Sequence, residues 1–96
     1  MPLPAQYDVA KALVSMAIEC TLLNFGKDVY DKVVKRLDDN DLYISDCFDR
    51  PEYLNKILKD LFGASYTKII HSIHVWLDDS SSDQLILDFI VAVKKS

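Results

Sequence analysis

The chain has 96 residues, half of them hydrophobic, which is enough for one core and too little for two domains. Two glycines and three prolines exclude a multi-turn β architecture, and an ordinary charged fraction excludes disorder. The net charge of −4 sets nucleic-acid binding at a disadvantage, because a phosphate backbone repels an acidic chain unless its cations gather on one face.

A first helix is predicted from about Ala5 to Phe25, with Val9, Ala10, Leu13, Val14, Ala17, Ile18 and Thr21 at helical spacing. Gly26 should end it as a left-handed cap. At 100° per residue, Asp8, Lys11, Ser15 and Glu19 share one narrow polar wedge, while Met16, Cys20 and Leu23 carry the apolar surface well past an ordinary stripe. A helix this apolar is central in its fold or shared with a second chain, so Met16 and Leu23 mark an expected oligomer surface.

The second helix, about Lys27 to Asp39, puts Val29, Tyr30, Val33, Val34 and Leu37 on one face. Asp38, Asp39 and Asp41 crowd its C-terminus against the helix dipole, and Asn40 is the expected left-handed stop. Lys27, Lys32, Lys35 and Arg36 form the one candidate nucleic-acid face, but they alternate with Asp28 and Asp31 as on a solvated helix surface.

The segment from Asp41 to Leu54 is the only part that amphipathic periodicity leaves unexplained. Ser45 is expected to cap a single helical turn through Phe48, with Leu42, Tyr43 and Ile44 packing on the bundle. Asp46 and Asp49 are expected to cap backbone N–H groups near Pro51, with Arg50 as counter-charge. Pro51 fits the first position of a third helix, where its missing N–H is not needed, and Gly63 stops that helix after Leu54, Ile57, Leu58 and Leu61.

A fourth helix should start at a Ser65 cap and bury Tyr66, Ile69, Ile70, Ile73 and Leu77. A capping box from Ser80 to Asp83 should open the fifth, which buries Leu85, Ile86, Phe89, Ile90 and Val93. The expected fold class is therefore all-α: one domain over residues 1–96, a compact bundle of about five helices with a structured connection between the second and third.

Chemistry is sparse. Cys20, Cys47, His71 and His74 are too scattered for the paired spacing of a structural zinc site, so no metal or cofactor is expected. Cys47 lies among carboxylates that raise a thiol pKa, which argues for a small residue under a loop rather than a nucleophile. His71 could accept a phosphoryl group only in a phosphotransfer setting that Ser72-Ile73-His74-Val75 does not provide. No phosphate loop or nucleophile elbow is present, and no enzymatic activity is expected.

Tyr43, Phe48, Tyr53 and Trp76 either seal the edges of the core or form a partner-binding patch, since tyrosine and tryptophan are enriched at interfaces. Without a secretory pattern or an apolar run of membrane-spanning length, a cytoplasmic protein away from membranes is expected.

Tyr43-Ile44-Ser45-Asp46-Cys47-Phe48, Pro51-Glu52-Tyr53-Leu54, Leu58-Lys59-Asp60-Leu61-Phe62-Gly63 and Ser65-Tyr66 resemble a group of small archaeal helical proteins of uncharacterised function, over most of the chain from about Cys20. The resemblance implies an archaeal, soluble, all-helical protein and supplies no functional residues. The expected role is protein–protein interaction or self-association, as a homodimer or a subunit of an assembly. The competing role is a nucleic-acid-binding module using Lys32, Lys35 and Arg36.

Overall fold

The structure, a computed structural model, describes residues 4–78 and 83–95. It is all-helical among these: α1 (Pro4–Phe25), α2 (Lys27–Asp39), the single turn α3 (Asp46–Asp49), α4 (Pro51–Phe62), a 3₁₀ turn (Gly63–Ser65), α5 (Tyr66–Leu77) and α6 (Gln84–Lys95). The Cα radius of gyration is 12.5 Å, matching the roughly 12.5 Å of a folded chain this long.

The core follows the helical stripes. Ala10, Val14, Ala17, Ile18 and Leu22 of α1 are fully buried and meet α2 and α5, with smaller contacts to α3 and α6. Val33 and Leu37 of α2, Leu54, Ile57 and Leu58 of α4, Ile69, Ile70, Ile73 and Leu77 of α5, and Ile86, Phe89, Ile90 and Val93 of α6 complete one cluster. Helix α4 is a second hub, touching α2, α3, α5 and α6.

The joints differ from expectation in instructive ways. Gly26 lies at φ 137°, ψ 150°, a region open essentially to glycine but extended rather than left-handed helical. Its N–H still closes α1 on Leu22 and Leu23, while its carbonyl already accepts from Tyr30 of α2. One residue thus ends one helix and starts the next.

The left-handed residue at the end of α2 is Asp41, at φ 58°, and not Asn40, at φ −107°. The Leu42 N–H bonds to the Leu37 carbonyl and the Asp41 N–H to that of Asp38, which is the paired 6→1 and 5→2 pattern of a Schellman ending. That register folds Leu42 back beside Leu37. Asn40 instead satisfies a further terminal carbonyl, donating from Nδ2 to Arg36.

Ser45 occupies the cap position of α3 but makes no side-chain cap bond. Asp46 supplies the local anchor instead, its Oδ2 accepting the Tyr43 N–H at 2.8 Å. Pro51 opens α4 as predicted. Ser65 makes no cap bond either, because the 3₁₀ turn at Gly63–Ser65 feeds α5 without leaving helical geometry. Asp83 stands at the cap of α6 rather than inside the helix as a Ser80 capping box would place it, its Oδ1 accepting the Leu85 N–H and its carbonyl the Leu87 N–H; Ser80 falls outside the described residues.

Candidate functional site

Two surfaces and one polar cluster stand out once the core is accounted for. The first surface is the outward face of α1. Val9 is 57% exposed, Met16 52% and Leu23 51%. They recur every seven residues, the period at which one helix keeps a face towards another. Exposed Ala12 and Cys20 fill the gaps between them. The stripe extends along a helix of 22 residues, about 33 Å at 1.5 Å per residue. It lies opposite the buried face of α1, so both sides of this helix are apolar.

The second surface is a cleft of about 460 Å³ between α1, α2 and the connection to α3. Val34, Leu37, Leu42 and Ile44 supply its apolar lining, and Ser15 and Glu19 of α1 form one wall. Asp38 stands on the other side and Tyr43 at the rim. No lysine, arginine or histidine lines it.

The polar cluster ties the connection to α1. The Tyr7 hydroxyl donates to Asp49 Oδ1 and the Lys11 ammonium to Asp49 Oδ2 at 2.9 Å. Burial pushes the Asp49 carboxyl up, but the hydrogen bonds from Tyr7 and Lys11 outweigh it and hold the group below the usual carboxylate range. The bond to Asp49 raises Lys11 in turn. Asp49 therefore binds α1 rather than capping α4. Arg50 acts as the expected counter-charge only weakly, its charge being the smallest of the effects that lower Asp49, while its guanidinium lies over the Tyr53 ring at 5.8 Å.

The four aromatics assigned to one patch are placed apart. Phe48 is half-buried, edge-on to Tyr7 at 5.5 Å and stacked with Phe89 at 6.3 Å, so its ring belongs to the core margin. Tyr43 is 74% exposed at the rim of the first cleft, where Leu42 and Ile44 pack inward without it. Tyr53 lines a different groove with Arg36, Asn40 and Asp60. Trp76 is exposed on α5.

Cys47 is buried, and burial followed by the Asp46 charge pushes its thiol up to about 12, leaving no thiolate at neutral pH. Among the described residues no cluster of histidine, cysteine and carboxylate side chains could hold a metal. His71 is exposed, and Nδ1 of half-buried His74 lies 2.5 Å from Lys94 Nζ. Lysine can only donate, so that nitrogen accepts and is not available to a metal.

On α2, Lys32, Lys35 and Arg36 share a shallow groove with Asp39 and Leu61, and Arg36 is 3.6 Å from Asp60. No described helix is long and apolar enough to cross a membrane. Compared with protein families, with curated proteins and with solved structures, the chain matches none.

Proposed function

We propose that this protein acts through protein–protein contact, presenting the outward face of α1 to another chain, with a second copy of itself as the first occupant. The observation that carries this reading is the exposed stripe of Val9, Met16 and Leu23. Three large apolar side chains left half in water along one helix make a contiguous patch of the kind that marks an interaction site. Their seven-residue period suits a helix as the covering element. A patch present on every copy can meet itself across a two-fold axis, the commonest symmetry of homo-oligomers.

Nucleic-acid binding has weaker support. The basic side chains of α2 share their groove with Asp39, and Arg36 already faces Asp60.

Met16→Asp or Leu23→Asp tests the interaction reading, since each puts a charge into the stripe and neither touches the buried face of α1. Light scattering should find the variants reduced to helical monomers. A wild type that is already monomeric removes self-association.

A further inference from the structure

The outward stripe of α1 reads the same from either end. Val9, Ala12, Met16, Cys20 and Leu23 are spaced three, four, four and three residues apart, large at the ends and centre and small between. All five are exposed. Such symmetry suits a face that packs on its own copy running the other way, because a two-fold contact pairs residue i with j and j with i.

We propose, resting on the self-association reading, that the stripe pairs with α1 of a second copy in antiparallel register, on a two-fold axis through Met16. Val9 then lies opposite Leu23 of the second copy, Ala12 opposite Cys20, and Met16 opposite Met16. The small pair lets the helix axes approach to about 8 Å, and the large side chains interdigitate on either side of it. The flexible methionine thioether at the centre adapts to its own copy.

Neighbouring registers are worse. Sliding the second copy by one turn sets Val9 opposite Glu19 in one direction and opposite Lys27 in the other. The helix ends favour the antiparallel direction. Parallel helices lay like dipole charges side by side, whereas antiparallel ones put each N-terminus of this 22-residue helix beside a C-terminus. The polar flank agrees, since an antiparallel two-fold turns the wedge of Asp8, Lys11, Ser15 and Glu19 towards its own copy. Lys11 of the second copy then comes level with Glu19 to within about 3 Å along the axis, while the two Glu19 residues stand about 9 Å apart along it.

Cross-linking reads the register. The two copies of Cys20 are displaced along the axis by about 12 Å, beyond the roughly 7 Å between Cα atoms that a disulfide spans. At a concentration where sedimentation finds dimer, the wild type should therefore form no Cys20–Cys20 link under oxidised glutathione. In Ala12→Cys the new thiol faces Cys20 of the second copy, so a disulfide-linked dimer should form, and mass spectrometry should find positions 12 and 20 joined. Val9→Asp and Leu23→Lys should each weaken association by about tenfold. The double variant should recover most of that loss, because its two new charges meet across the axis and are too far apart to meet within one helix. A Cys20–Cys20 link in the wild type, no link between positions 12 and 20 in the variant, or a double variant no better than the single ones overturns the register and leaves self-association standing. A wild type that is monomeric at every concentration removes both.

Discussion

The side-chain amide of Asn55 donates to the Val93 carbonyl at 2.6 Å, joining the middle of α4 to the last turn of α6. Asn55 is buried, and that carbonyl is one of the four that a helix C-terminus leaves without an intrahelical donor. The contact satisfies both groups at once.

Replacing Asn55 by Ala should therefore destabilise the fold by about 1–3 kcal/mol, because a buried acceptor loses its donor and a small cavity forms. Asn55→Asp should cost more, since a buried carboxylate faces a carbonyl oxygen. Urea unfolding of the three proteins checks the order.

Asp49 gives the fold a defined acid response. Its native pKa lies below the unfolded value of about 3.9, so its contribution is fully present above that value. It is lost as pH falls through the native pKa. The Tyr7 and Lys11 contacts are partly exposed, and screening limits the pair to about 1 kcal/mol at most. Asp49→Asn should be less stable than wild type at pH 7, and the gap should close below about pH 4. Thermal melts at several pH values measure it.

The two thiols should behave as different chemical species. Cys20 is exposed, whereas Cys47 is buried with its thiol pushed up to about 12. Under native conditions at pH 8, at a concentration low enough to keep the chain monomeric, a thiol reagent should modify Cys20 alone, and both residues should react in denaturant. Mass spectrometry of the native product identifies the site.

Two backbone positions predict opposite signs. Nothing lies within 4 Å of a Cβ added to Gly26, but its φ of 137° strains any other residue. Gly26→Ala should cost about 1–3 kcal/mol through the backbone alone. Asp41→Gly relieves a left-handed aspartate and removes a negative charge at a helix C-terminus, and should stabilise by about 0.5–1 kcal/mol. Denaturant midpoints give both values.

Local periodicity carried the helices, because a stripe such as Ile69, Ile70, Ile73 and Leu77 depends only on residues within three turns. The ends of α1 and α2 and the start of α4 were legible to within a residue, but α6 starts at Gln84, three residues later than a Ser80 cap would set it. Left-handed geometry passed from Asn40 to Asp41 because the closing turn is chosen by where Leu42 can pack, a tertiary matter. The Asn55–Val93 bond spans 38 residues and the Tyr7–Asp49 bond 42. Only the folded bundle brings such partners together, so a lone Asn between Leu54 and Lys56 gave no sign of its role. The stripe of Met16 and Leu23 was readable from the helical wheel. The cleft was not, since its walls come from three separate segments.

Sedimentation equilibrium of the wild type over a range of concentrations tests the central claim most directly. The account predicts an apparent mass rising from 11.0 kDa towards twice that value, with Met16→Asp remaining at the monomer mass throughout. A wild type that stays at 11.0 kDa at every concentration would contradict it.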